Sequence, residues 1–248
     1  MGEVIKAVQF ADGVVSPAEL LATEEALLEY GEEVGGAFLG FWEARNYFVV
    51  VGYGKQVAAE VYEEECGRLN IPILRRASGG GTVLQGPGCL NYTLVLPIDA
   101  AEELGSITST NVYIMQRTHA TIAALVNGDV RVQGYTDLTW NGLKFSGNAQ
   151  RRKRRCLLFH GSFLLNFDLE LISRTLKSPA QQPEYRKQRP HSEFITNLKV
   201  ERSRVEGALR EVWNVTERTP AKVIAEVRAR AAALVESKYS RDEWNRRS

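Results

Sequence analysis

The sequence predicts an α/β chain in which a mixed sheet is flanked by helices. Three observations carry this. Hydrophobic residues make up 44% and charged residues 25% of the 248 residues, the mix of an ordinary globular domain. Short apolar runs suited to strands outnumber helical stretches in the middle of the chain. Those runs do not alternate strictly with helices, as a parallel βαβ sheet would require. A chain this long buries roughly 70% or more of its unfolded surface, so it needs neither disulfides nor a structural metal. The reading is a single domain over residues 1–248, with a helical part from about 180 to 248 packed on the rest.

The elements follow in order. Ser16-Pro17-Ala18-Glu19 is a capping box with proline at the first helical position. The helix it opens carries Leu20, Leu21, Leu27 and Leu28 and stops near Gly35-Gly36. FLGFWE and YFVVVGY read as strands, and residues 55–69 as a helix with Val61, Cys66 and Leu69 on one face. IPILRR, GTVLQ and NYTLVLP read as strands, 110–127 as a helix, and DVRVQG, DLTWN, LKFSGNA and LLFHGSFLL as strands again. Asp168 caps a short helix, and the proline-rich 178–193 is irregular. Ser203 to Glu206 and Thr219-Pro220 open two terminal helices.

Charge and cysteine content exclude several classes. Lys+Arg is 31 and Asp+Glu 30, a net charge of +1, which argues against a protein built mainly to hold nucleic acid or an anionic membrane. Three cysteines, Cys66, Cys89 and Cys156, with no CxxC, exclude a disulfide scaffold and a zinc ribbon. They suggest a reducing compartment, and a cytoplasmic location is expected. The N-terminal MGEVIKAVQF has no apolar leader region, and no apolar run approaches a membrane span.

Two segments stand out chemically. In Arg75-Arg76-Ala77-Ser78-Gly79-Gly80-Gly81-Thr82, two arginines end a strand and three glycines follow. Glycines let a backbone approach a ligand closely, and free N–H groups in such a turn form an anion-binding nest. The same residues also suit a flexible hairpin with exposed arginines. In DLTWNGLKFSGNA, Asn141-Gly142 is a type I′ hairpin signal. A two-residue loop there pairs Asp137 with Ser146 and Thr139 with Lys144. Alternation then gathers Asp137, Thr139, Lys144, Ser146 and Asn148 on one face, with Asp137 diagonal to Lys144 at roughly 7–8 Å between Cβ atoms. That spacing suits a carboxylate holding Mg²⁺ and a lysine touching the same phosphate; it equally suits an ordinary solvated sheet face. His160 in LLFHGSFLL reads on local residues as a core histidine, and no Ser–His–Asp arrangement suggests itself. The run Arg151 to Arg155 reads as a solvated loop, since it lacks interleaved aromatics for nucleic acid.

Taken together, RRASGGGT, Asn91, Asp137-Leu138, the KFSGNA of Lys144 to Ala149, and the HGSFLL of His160 to Leu165 resemble the lipoate–protein ligase A family. The resemblance runs from about residue 15 to 170. It implies a mixed sheet flanked by helices and a two-step reaction. A lipoate or octanoate carboxylate attacks the α-phosphate of ATP to give acyl-AMP, and a lysine of a lipoyl-acceptor domain takes the acyl group as an amide. By the same resemblance, Lys144 is the catalytic residue, bridging acyl oxygen and phosphate. Arg75, Arg76, Ser78, Gly79, Gly80, Gly81, Asn91 and His160 bind lipoate or its adenylate. Gly147, Asn148 and Thr82 line the nucleotide site beside Lys144, and Asp137 holds Mg²⁺.

Three departures accompany the resemblance. Gln85-Gly86-Pro87 stands where such ligases often have His-Asp, and Cys89 stands where asparagine is common. The accessory domain of longer ligases is expected to be absent, so transfer calls for a separate accessory subunit or does without one. The nearest rival is an octanoyltransferase working through a cysteine thioester, which needs an accessible thiolate near the lysine. Cys66 falls on an apolar helix face, Cys156 at a strand start, and Tyr135 stands near where one transferase type has its cysteine. A non-catalytic module binding an acyl-adenylate or nucleic acid would not need Lys144 and Asp137.

Overall fold

The computed structural model describes residues 5–10 and 15–247; residues 1–4, at the head of the stretch read for a leader, lie outside it with 11–14 and 248. Strand β1 (Ile5–Gln9) leads to helix α1 (Pro17–Val34), whose start is the expected capping box. Ser16 Oγ accepts from Glu19 N at 3.2 Å, and Ser16 N donates to the Glu19 carboxylate at 2.8 Å. Gly35 ends the helix at φ 72°, left-handed backbone that glycine adopts without a Cβ clash. Strands β2 (Ala37–Trp42) and β3 (Phe48–Val51) come next. The helix expected over 55–69 is broken into α2 (Val57–Glu60) and α3 (Glu63–Arg68), because Val61 is extended and bridges to Leu176.

Then follow β4 (Ile73–Arg75), β5 (Val83–Gln85), β6 (Cys89–Pro97), α4 (Ile107–Ala123), β7 (Val130–Gln133), β8 (Asp137–Trp140), β9 (Leu143–Arg152) and β10 (Cys156–Leu164). Asp168 caps α5 (Leu169–Thr175), its side chain accepting from Leu171 N. The proline-rich stretch holds one 3₁₀ turn, Glu184–Arg186, and the one-turn helix α6 (His191–Phe194). Beyond it lie α7 (Arg202–Val212), β11 (Val215–Arg218), α8 (Ala221–Leu234) and α9 (Asp242–Asn245). Two readings need correcting here. Helix α7 begins at Arg202, so Ser203 lies inside it and caps nothing. The C-terminal part is not purely helical, since β11 pairs parallel with β1, and neither strand was foreseen.

The strands form two sheets. The larger runs β11-β1-β2-β6-β10-β9-β8-β7, parallel among its first three strands and antiparallel thereafter; the smaller runs β4-β3-β5. Burial explains the layering. On one face of the large sheet, Leu94, Phe145 and Phe159 pack with Ile114 and Met115 of α4 and Val205 and Leu209 of α7. On the other, Val95 and Leu158 pack with Leu20, Leu27 and Leu28 of α1 and Val227 and Ala231 of α8. Strand β6 is buried along its whole length, as a central strand with helices on both faces must be. The small sheet shares a third core with Cys66, Leu171 and Ile172, and its β4–β5 connection is the glycine loop.

The α1 cap is exposed and remote from the glycine loop in sequence. Ser16→Ala should lower unfolding stability by about 1 kcal/mol in chemical denaturation.

Candidate active site

A cleft of about 890 Å³ opens between the two sheets. Its wall includes Arg76, Gly80, Gly81 and Thr82 from the glycine loop, Asn91 from β6, Asp137, Lys144, Gly147 and Asn148 from the hairpin, and His160 from β10. The segments singled out in the sequence therefore meet at one place. Apolar side chains, among them Leu21, Trp42, Val50, Leu84 and Leu164, form another part of the wall.

The hairpin delivers the central pair. Asn141 and Gly142 both have positive φ, 51° and 81°, the pattern of a type I′ turn. Thr139 lies opposite Lys144 as expected, but Leu138, not Asp137, lies opposite Ser146. A bulge sits between them, with two steps of β9 against one of β8, and bulges re-aim side chains. The lysine side chain reaches across the diagonal: Lys144 Nζ lies 2.8 Å from Asp137 Oδ1. Gly147 makes room for this, since a Cβ there would sit 3.1 Å from Lys144 Nζ. The other Asp137 oxygen accepts from the Tyr185 hydroxyl at 2.6 Å. That tie holds the segment around Glu184–Arg186 against the hairpin, and sequence reasoning missed it. No group of three or more His, Cys, Asp or Glu that could hold a metal occurs among the described residues.

The two arginines before the glycines part company. Arg76 is buried and holds the loop: its guanidinium donates to the Gly79 carbonyl at 2.6 Å, the Gly81 carbonyl at 2.7 Å and Ser78 Oγ at 3.0 Å. Burial brings its pKa down to about 10, so it stays charged at neutral pH. Arg75, expected to bind substrate, does not reach the cleft. It is fully buried and donates to the carbonyls of Gly52, Tyr53, Lys55, Trp244 and Arg247. Neighbouring strand residues point to opposite faces, so two adjacent arginines cannot share one pocket. Ser78 and Gly79, also expected at the ligand, are not on the cleft wall. Of the three glycines only Gly80 has positive φ, 89°.

Ser78 instead ends a buried chain of hydrogen bonds. Its Oγ lies 2.6 Å from His160 Nε2, and His160 Nδ1 lies 2.7 Å from Glu24 Oε2. Thr93 and Trp42 donate to the other Glu24 oxygen at 2.7 and 3.2 Å. Burial pushes the Glu24 pKa up, but the His160 charge and these donors more than offset it, so the carboxyl stays below its usual range. An ionised carboxylate only accepts, so His160 Nδ1 carries a proton. Three residues thus line up like a serine triad that no sequence spacing disclosed. Ser78 is 1% exposed and receives Arg76 Nε, so the chain fixes the glycine loop to α1 and β10 and offers no nucleophile. Asn148, expected at the nucleotide, is similarly locked: it accepts from the Tyr92 hydroxyl and donates to the Thr136 carbonyl. Asn91 donates to Gln85.

The cysteines and the basic run are quiet. Cys66, Cys89 and Cys156 are all buried, and none lines the cleft. Burial pushes the Cys89 thiol up to about 12, far from a thiolate at neutral pH. Within the basic run, Lys153 pairs with Glu29, and Arg155 N binds the Glu32 carboxylate, so helix α1 neutralises part of it. Arg151 and Arg152 belong to β9, not to a loop.

Two outcomes follow. Replacing Arg75 with Met leaves five carbonyls without their donor and should lower stability by about 3 kcal/mol or more, measured by urea denaturation. His191, on the cleft wall, has its pKa pushed down to about 4 by burial, with Arg186 and Lys144 adding to the effect. The unfolded chain therefore binds this proton from about pH 6.5 and the folded chain only near 4, so stability falls as pH drops through that window. A His191→Asn variant should lose less melting temperature between pH 6.5 and 4 than the unaltered protein.

Comparison with known proteins places this geometry. Residues 16–230 match the family model described as the lipoyl protein ligase A/B catalytic domain. The octanoyltransferase LipM of Brevibacillus brevis is 24% identical over 94% of this chain and 96% of its own. One chain of an archaeal lipoylation system from Thermoplasma acidophilum, described as a bi-partite lipoate protein ligase and its E2 lipoyl domain, superposes with a TM-score of 0.78 at 24% identity, covering 98% of this chain and 95% of that one. A lipoate-protein ligase A solved with bound ATP gives 0.80 at 24% identity, covering 99% and 98%. The match covers the strands, the glycine loop and the hairpin that build the cleft, and the chain belongs to the lipoyl protein ligase A/B catalytic domain family.

Proposed function

We propose that this protein is a lipoate–protein ligase: it activates lipoate or octanoate with ATP and passes the acyl group to a lysine of a lipoyl-acceptor domain. The observation that carries this is the cleft's chemistry. It holds a lysine beside a carboxylate and a glycine loop, and no cysteine lines it among the described residues. Family membership alone leaves the octanoyltransferases open, since LipM relatives match along most of the chain. A thioester route needs a thiolate within reach of the acyl group. A thiol pushed up to about 12 at Cys89 cannot supply one.

In this reading the apolar wall takes the acyl chain and leaves the carboxylate at the Lys144 end. Oxygen of the carboxylate attacks the α-phosphorus, and pyrophosphate leaves. Phosphoryl transfer asks for positioned positive charge more than for a protein nucleophile. Lys144 supplies that charge between phosphate and acyl oxygens. The loop from Gly80 to Thr82 covers the adenylate, held from behind by Arg76 and by Ser78 on His160. Gly147 and Asn148 border the nucleotide. The acceptor amine then attacks the acyl carbon, AMP leaves, and an amide forms.

Mg²⁺ fits the donor set in one place. Of the wall's other carboxylates, Glu24 and Glu60 are engaged by His160 and Lys55 and Glu184 is exposed; Asp137, itself paired with Lys144 and Tyr185, lies beside the phosphate-handling lysine. A magnesium ion is commonly held by one or two carboxylates together with substrate phosphates, and Asp137 would hold it here. It would neutralise phosphate charge. The chain is read as one catalytic domain whose part beyond residue 180 packs on the sheet. The Thermoplasma neighbour, described as a bi-partite lipoate protein ligase, supports a separate accessory subunit here. No helix of the described residues is long and apolar enough to cross a membrane. Three buried cysteines suit a reducing compartment, and in this reading the enzyme is cytoplasmic.

The test is direct. Incubation with ATP, Mg²⁺ and lipoate or octanoate should yield acyl-AMP by mass spectrometry. Lys144→Ala should cut that yield by about 10²–10³ with the fold intact by circular dichroism. Cys89→Ser should keep ATP-dependent acylation of a lipoyl domain within about tenfold. Transfer from octanoyl-acyl carrier protein without ATP, through an octanoyl adduct on a cysteine, would install the transferase instead.

A further inference from the structure

The segment from Pro183 to Thr196 forms one wall of the cleft, and it is tied to the hairpin at three points. The Tyr185 hydroxyl donates to Asp137, Arg189 Nη2 donates to the Gly142 carbonyl, and Thr196 N donates to the Lys144 carbonyl. These ties bring Arg186 to the Lys144 end of the cleft, whose wall both residues line. Arg186 is 4% exposed. Its guanidinium makes one hydrogen bond among the described residues, from Nε to the Arg189 carbonyl, and rests 4.6 Å over the Phe194 ring. Its Nη2 is buried with no partner, and no carboxylate forms an ion pair with it among the described residues.

Such an arrangement is costly unless a ligand completes it. A buried charge without a counter-ion, and a buried donor without an acceptor, both destabilise the empty protein. Arg189, on the same segment, shows the contrast: carbonyls of Arg186, Glu193, Gly142 and Tyr185 take up its donors. At this end of the cleft, Lys144 and Arg186 face one paired carboxylate, Asp137, while Glu184 nearby is exposed. The low pKa of His191, set partly by both cations, registers the same positive field. Two further buried, unpartnered oxygens, Thr82 Oγ1 and Gln182 Oε1, belong to the cleft wall as well.

We propose that Arg186 is a phosphate-binding residue, its free guanidinium edge taking an oxyanion of the nucleotide's polyphosphate opposite Lys144. A guanidinium fork matches phosphate geometry and keeps its charge when buried, as a lysine there would not. Nothing in the sequence pointed to it, because it lies in an irregular, proline-rich stretch without a motif. The proposal rests on the ATP-dependent reading above for its ligand but on Arg186's own surroundings for its site.

The experiment is calorimetric titration of ATP, inorganic pyrophosphate and lipoate into the unaltered protein, Arg186→Gln and Arg186→Lys. Arg186→Gln should weaken ATP and pyrophosphate by about 10- to 100-fold, the loss of a hydrogen bond to a charged group, and leave lipoate unchanged. Arg186→Lys, which keeps a single-point donor but loses the planar fork, should fall in between. Unchanged phosphate binding in a folded Arg186→Gln would overturn the proposal. So would an equal loss of lipoate binding in both variants, which would show that Arg186 only shapes the wall. If the unaltered protein makes no acyl-AMP yet binds pyrophosphate through Arg186, the ligase reading fails and this site stands. If it binds neither ATP nor pyrophosphate, both fall.

Discussion

The Glu24 carboxylate is the interaction on which the rest of the site depends. It is buried, ionised and shared among Trp42, Thr93 and His160, which lie on three adjacent strands, β2, β6 and β10. A buried charge is tolerated only when its lone pairs are filled, so helix α1 and the sheet can meet here in one register alone. His160 passes that constraint to Ser78, and Ser78 with Arg76 passes it to the glycine loop. The loop's position over the cleft is thus set by a carboxylate on the opposite side of the histidine.

A second chain of contacts sets the other wall. Asp137 joins Lys144 to Tyr185, so the strand carrying the lysine and the segment carrying Arg186 are held by the same carboxyl group. A bulge in β9, between the Leu138–Ser146 and Thr139–Lys144 pairs, lies beside this pair, and bulges re-aim side chains. Gly147 and Gly161 keep the floor clear: a Cβ at Gly161 would collide with Asn148, and one at Gly147 would crowd Lys144. The cleft wall is accordingly held by hydrogen bonds and an ion pair around Asp137 and is apolar at Leu21, Trp42, Val50, Leu84 and Leu164.

Arg75 braces the architecture. It stitches β4 to the turn after β3 and to the C-terminal helix α9, and the Trp244 indole donates back to its carbonyl at 2.9 Å. The small sheet, from which the glycine loop springs, is therefore braced by residues nearly 170 positions away.

What the sequence determined by itself was local. The α1 capping box, the Asn141-Gly142 turn and the strands from β2 to β10 along the chain follow from patterns within a few residues, and each is present. The motif residues Arg76, Asn91, Lys144, Gly147 and His160 do line one cleft. Tertiary structure decided the rest. Which of two adjacent arginines faces the cleft depends on the strand's orientation in a sheet, and local sequence carries no sign of that. Strands β1 and β11 exist because each finds a parallel partner far along the chain, Ile5 opposite Ala37 and Val215. Glu24 and Tyr185 found their partners across the fold, and Arg186 took its place from its segment's ties to the hairpin; in the sequence they read as an ordinary helix residue and two residues of a polar loop. Burial, not residue type, turned them into parts of a site: it raises the cost of an unpaired charge, and so fixes which charges must meet.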